Sequence, residues 1–150
     1  MRITFDNALN HIQFLATIFG RDRVRHVIVV LLLELNVPTD FDGFDYLVRG
    51  ITIYNRDPSQ MFGKGLYPAI AETYAKKVEV PQVESAIRCA IKSAWKNCDV
   101  VAWNRYFPDR TGKPSNAEFI SRIAWILELW EGCCKENNDK RAVGRPQNER

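Results

Sequence analysis

The sequence predicts an all-α fold, a compact bundle of about six to seven helices containing a helix-turn-helix. Three observations predict it. Apolar residues return at three- and four-residue spacing along most of the chain, helix-capping residues stand ahead of several of these runs, and no stretch alternates strongly enough to build a sheet. The 150 residues, 46% hydrophobic and 26% charged, suit one soluble domain with a real core rather than a disordered or collagen-like chain.

The first helix is expected over residues 6 to 19, "DNALNHIQFLATIF". Leu9, Ile12, Leu15, Ile18 and Phe19 form its apolar stripe, Asp6 is the candidate N-cap and Gly20 the candidate stop. "RVRHVIVVLLLELNVP" follows. Its β-branched residues suit a strand, but its length, Leu-rich second half and Asn-Val-Pro exit favour a helix buried on most sides. In "DGFDYLVRGITIYN", Phe44, Leu47, Ile51 and Tyr54 share one face. A further helix is expected through "SQMFGKGLYPAIAETYA", with Pro68 as a kink or a fresh start.

After Pro81, Val83, Ala86, Ile87, Ala90, Ile91, Ala94 and Trp95 make one continuous stripe at about 100° per residue. The opposite side carries Ser85, Arg88, Cys89, Lys92 and Lys96, with Gln82 and Glu84 near its edges. A short helix over residues 98 to 107 has Asp99 as its cap. The last helix opens on Ser115 and Glu118, a capping box, and buries Ile120, Ile123, Ile126, Leu127 and Trp130. The chain therefore divides into an extra N-terminal helix (1–20), a helical domain (21–131) and a flexible polar tail (132–150). "VGRP" in that tail resembles the core of a minor-groove hook without the arginine before its glycine, and reads as solvated tail.

Charge and cysteine usage exclude several classes. The net charge is +3, but residues 132–150 hold five cations against three carboxylates, a net +2, which leaves the body at +1 and nearly neutral for a nucleic-acid binder. The longest apolar run, "VIVVLLL", stops at Glu34, well short of the roughly 18 residues a membrane span needs. "MRITFDNALN" lacks the pattern of a signal peptide, so a cytoplasmic setting with reduced thiols is expected for Cys89, Cys98, Cys133 and Cys134. No C-x-x-C spacing, Gly-rich phosphate loop or nucleophile motif is present, and His11 and His26 have no evident partner. "DFDGFD" has its glycine misplaced for a calcium loop and no glutamate at the twelfth position. Glu34, Asp42 and Glu72 read as caps and solvated positions. No enzyme activity, metal or cofactor is predicted.

Leu66, Ile70 and Tyr74 give the helix before "VESAIRCAIKSAW" its own buried edge, and only "AKKVEVP" separates the two. That spacing suits a helix-turn-helix, in which the second helix enters the major groove, and equally two packed helices of an ordinary bundle with a solvated outer face. In a helix-turn-helix, Arg88 can fork to guanine or clamp a phosphate, Glu84 can accept from a cytosine amine and Gln82 can pair with adenine, while Lys92 and Lys96 suit phosphates.

The blocks "LNVPTDFDGFDYLVRGI", "LYPAIAETYA", "VESAIRCAIKSAW" and "GKPSNAEFISRIA", in this order and spacing, closely resemble the C-terminal effector domain of the sporulation initiation response regulator, the stage-zero sporulation protein A family. The likeness runs from about Val27 to Trp130. It implies an all-helical DNA-binding domain of about six helices, with a helix-turn-helix over residues 66 to 95 whose second helix contacts a short sporulation-control box. Glu84 and Arg88 match residues the family uses there. Pro81, Gln82, Ser85 and Cys89 stand where the family typically has Ser, Arg, Arg and His.

The family's full-length regulator begins with a phosphorylatable receiver, for which this sequence has room only for one helix before Arg21. Control is then expected through abundance, oligomerisation or a partner. The implied function is a transcription regulator binding double-stranded promoter DNA at an altered site, through Gln82, Glu84, Ser85, Arg88, Cys89, Lys92 and Lys96. A homodimer is a further candidate state. The alternative is an interaction or dimerisation module that keeps the fold without the DNA contacts.

Overall fold

A computed structural model describes residues 5–19, 24–109 and 111–144, with the side chains of all these except Phe19 and 133–144. Seven α-helices and no strand occur among them: α1 (Asp6–Phe19), α2 (Val24–Glu34), α3 (Asp42–Arg56), α4 (Tyr67–Glu72), α5 (Val80–Lys96), α6 (Val100–Tyr106) and α7 (Asn116–Gly144). The Gly20 stop, Arg145 and Pro146 of the hook-like segment, and the side chains of Cys133 and Cys134 lie outside the described residues. No helix among the described residues is long and apolar enough to cross a membrane.

The centre of the core is an aromatic cluster. Trp103 of α6 is fully buried and packs against Trp95, Phe107 and Phe119 with ring centroids 5.5, 5.2 and 5.9 Å away. Its indole N–H donates to the Leu35 carbonyl at 3.0 Å, which satisfies a polar group that would otherwise be costly in this setting. That carbonyl sits where α2 ends. Asn36 there is left-handed, with φ of 63°, and the Val37 and Asn36 amides donate back to the Leu32 and Leu33 carbonyls at 3.0 Å. Asn takes this conformation at little cost, so the helix stops and the chain turns.

α3 packs chiefly against α5 and α7. Its crossing with α5 is close at Gly43, where an added Cβ would lie 2.2 Å from the Ala86 carbonyl oxygen and 2.8 Å from the Ala90 Cβ. The glycine of "DFDGFD" therefore serves helix packing, at the second residue of α3.

Two local expectations need correction. The helix expected through "SQMFGKGLYPAIAETYA" is shorter and not α-helical throughout: Phe62–Leu66 is a π-helical turn that runs directly into α4 at Tyr67, with Pro68 in the first turn of α4. In α1 the buried residues are Ala8, Ile12, Leu15 and Ala16, while Ile18 is exposed and Leu9 only partly covered. The buried arc is rotated toward the two alanines, whose small side chains let the neighbouring helices approach. The backbone of α7 runs on to Gly144, past residue 131.

Candidate nucleic-acid interface

α4 and α5 form the expected pair, joined by residues 73–79. The connection is tied down from α3. Arg49 donates through Nε to Asp45 Oδ2 at 2.9 Å and through Nη1 to the Thr73 carbonyl at 3.3 Å, and its guanidinium lies 4.1 Å from the centre of the Tyr74 ring. The Tyr74 hydroxyl donates to the same Asp45 carboxylate. Burial, and then this carboxylate, push the Tyr74 hydroxyl well above the usual tyrosine range, so it remains a donor.

α5 begins at Val80 with Glu79 extended and Pro81 in the first turn. Val83, Ile87, Ala90, Ile91 and Ala94 are buried, with Ala86 and Trp95 partly so, which is the stripe read from the sequence. Gln82, Ser85, Arg88, Cys89, Lys92 and Lys96 are exposed and Glu84 is half-buried. The structure thus places all seven candidate residues on the solvent side or its edge, none of them under another part of the molecule.

Two features of this face are absent from the sequence pattern. Arg88 and Glu84 are paired, Nη2 to Oε1 at 2.8 Å, with side chains 55% and 45% exposed. The Nη1 and Nε edge of Arg88 is not used in this pair. Asn116, the first residue of α7, donates from Nδ2 to the Glu84 carbonyl at 3.1 Å and to the Tyr67 hydroxyl at 3.3 Å. One amide therefore joins the starts of α4 and α7 to the second turn of α5. Sequence reasoning used "PSNAEF" only as a cap. The Ser115 part holds, since Ser115 Oγ accepts from the Glu118 amide at 3.1 Å. Nothing in the pattern marks Asn116, because its partners lie far away in sequence.

Burial holds the Tyr67 hydroxyl above the usual range, opposed by the Asn116 hydrogen bond; Glu84 adds to the rise and Arg88 subtracts from it. Tyr46 of α3 is raised likewise by burial and by Asp42, with a hydrogen bond to Gln82 pulling the other way. Lys76 and Lys77 in the connection are exposed beside this face, Lys77 lying 3.4 Å from Glu79.

No group of three or more His, Cys, Asp or Glu side chains among the described residues is placed to hold a metal ion. His11, for which the sequence shows no partner, lies against Glu34 at 2.7 Å, linking α1 to α2.

The face offers base-edge donors and acceptors on Gln82, Glu84 and Arg88, followed by lysines one and two turns on, all on a helix held from behind by three others. The family described as the sporulation initiation factor Spo0A C terminal matches residues 28–127, from within α2 to within α7, leaving α1 outside the match. Over that span, which is most of the chain and holds the whole of the α4–α5 pair, this protein belongs to the Spo0A C-terminal family, the DNA-binding effector domain of a sporulation response regulator.

Proposed function

We propose that the chain is a cytoplasmic, non-catalytic transcription regulator that sets the outer face of α5 into the major groove of promoter DNA, at a site different from the sporulation-control box of its family. The observation that carries this reading is that Glu84 and Arg88 stay accessible while α3, α4 and α7 hold α5 in place behind them. Their mutual ion pair is no obstacle. An exposed i,i+4 pair contributes about 0.3–0.5 kcal/mol, whereas a bidentate Arg–guanine contact discriminates by about 1–3 kcal/mol. Glu84 also holds one edge of the guanidinium and leaves the other for a base.

Specificity differs because the neighbours differ. Gln82 offers an amide suited to adenine, Ser85 a short hydroxyl for a base or phosphate, and Cys89 a small apolar surface; none supplies the cation or imidazole typical of the family. Lys92 and Lys96 take phosphates. A homodimer fits the same reading, since paired helices read paired half-sites.

Selection from a random duplex library at moderate salt, followed by titration of the winner, tests this. A recovered motif unlike the family's box is expected, with affinity falling steeply with salt. Failure to enrich any motif removes the reading and favours the second one, an interaction module, to which the nearly neutral body and the mutual Glu84–Arg88 pairing lend weight.

A further inference from the structure

α1 and α6 border an open groove of about 540 Å³, within the range of about 300–1,000 Å³ that small-molecule sites occupy. Most of its lining is polar. Asn7, Asn10 and His11 reach it from α1, and Asn104 and Arg105 from α6. Each helix also adds one apolar side chain, Phe14 at 58% and Val101 at 66% exposure. α1 lies outside the span that matches the family, and α5 contributes nothing to the lining, so the groove belongs neither to that match nor to the proposed reading face.

One carboxylate holds a side chain on each wall. Glu34, the last residue of α2, accepts from His11 Nε2 at 2.7 Å and lies 3.5 Å from Arg105 Nη1, which fixes both groups and offsets the Arg105 charge. A polyphosphate therefore finds little net charge to bind. The side-chain amides of Asn7 and Asn10 make no hydrogen bond among the described residues, and each sets donors beside an acceptor. An asparagine amide of this kind matches the N6 and N7 edge of adenine. Asn7, Asn10, His11 and Phe14 recur at three- and four-residue spacing and so share one face of α1. There the Phe14 ring lies against His11, with centroids 6.2 Å apart and planes at 26°. A nucleobase is bound by this combination, its faces stacked on aromatic and apolar side chains and its edge hydrogen-bonded. A purely apolar ligand would leave the amides without partners.

We propose that the α1–α6 groove is a binding site for adenine carried by a nucleoside, with the base stacked on Phe14 beside Val101 and its edge paired with the asparagine amides. The site does not depend on the DNA reading. Its test contains no duplex, so the failure of one leaves the other standing.

Calorimetric titration of the full chain with adenosine is the test, with ribose, ATP and a short oligoadenylate as comparison probes. Saturable one-to-one binding of adenosine is expected, with ribose not bound and neither ATP nor the oligoadenylate tighter than adenosine. Phe14→Ala should weaken adenosine about tenfold, the loss of one stacked base, and Asn10→Ala several-fold. Both side chains are exposed, so the helical circular dichroism should not change. Phe14→Tyr keeps the ring and should bind as wild type does. Met61→Ala, at an exposed site before the π-helical turn, should leave the affinity unchanged. Adenosine that fails to saturate the chain at millimolar concentration, tighter binding of any comparison probe, or a folded Phe14→Ala variant with wild-type affinity overturns the proposal.

Discussion

The side-chain amide of Asn116 donates to the backbone carbonyl of Glu84, 3.1 Å away, so the first residue of the last helix grips the second turn of the helix that carries the proposed reading face. The same amide reaches the Tyr67 hydroxyl at 3.3 Å, which adds α4 to the joint. Removing it with Asn116→Ala takes away both hydrogen bonds and should lower stability by about 1–3 kcal/mol, at about 0.5–1.5 kcal/mol each, and should weaken specific DNA binding more than non-specific binding. Asn116→Asp should be worse than alanine, because it sets a carboxylate against a carbonyl oxygen close to the Glu84 side chain. Chemical denaturation together with binding to specific and scrambled duplexes checks the order; an aspartate variant that matches wild type in both would remove the joint from the account.

Arg88→Ala should lower affinity for the selected site by about 1–3 kcal/mol and relax the preference at one base position. Lys92→Ala should weaken all sequences alike and reduce the salt slope by about one. Titrations at several salt concentrations separate the two. Equal tolerance of both changes would count against α5 as a reading helix.

Two glycines of α3 should respond in opposite directions to alanine. In a helix interior, Gly→Ala ordinarily stabilises by about 0.5–1 kcal/mol. Gly50→Ala should follow that rule, since its new methyl meets side-chain atoms alone, with Ile70 Cδ1 at 2.9 Å and Ile120 Cδ1 at 3.9 Å, which can shift where backbone cannot. Gly43→Ala should destabilise by about 1–3 kcal/mol, the range for overpacking, because its methyl meets the Ala86 backbone, which cannot move unless α5 moves. Urea midpoints of the two variants give the signs directly, and a stabilised Gly43→Ala protein would contradict the close crossing.

Asp109 accepts from Arg122 with both oxygens, at 2.8 and 3.0 Å, and this hydrogen bonding holds its carboxyl below the usual aspartate range. Because the folded value lies below the unfolded one, the contribution to stability is present above the unfolded value and is lost as pH falls through the folded one. Asp109→Asn should therefore lower the melting temperature at neutral pH, and the gap to wild type should close on acidification below the carboxylate range. Melting curves as a function of pH read this out; a gap that is constant down to strongly acid pH would exclude the linkage.

Much of the fold was legible in the sequence because its signals are local. The stripe from Val83 to Trp95 is the buried side of α5, Asp99 caps α6 by accepting from the Val101 and Ala102 amides, and Ser115 caps α7. The same periodicity marked the outer positions of α5 as exposed. What escaped depends on partners distant in the chain. The arc of α1 turned toward Ala8 and Ala16 because of what packs there, and alanine is too small to register as a stripe. The π-helical turn at Phe62–Leu66 runs straight into α4, so the sequence marked the change of helix type only through Pro68. The grip of Asn116 on Glu84 spans 32 residues and has no periodic signature.

The seating of α5 separates two kinds of position along one helix. Inward residues meet Gly43 and the core so closely that they have little latitude, whereas Ser85, Arg88, Cys89 and Lys92 point to water. Mutational drift among these outward sites need not pass through unfolded intermediates. On the reading proposed above, a lineage can trade one operator for another in single steps, keeping its scaffold throughout while its regulon is rewritten.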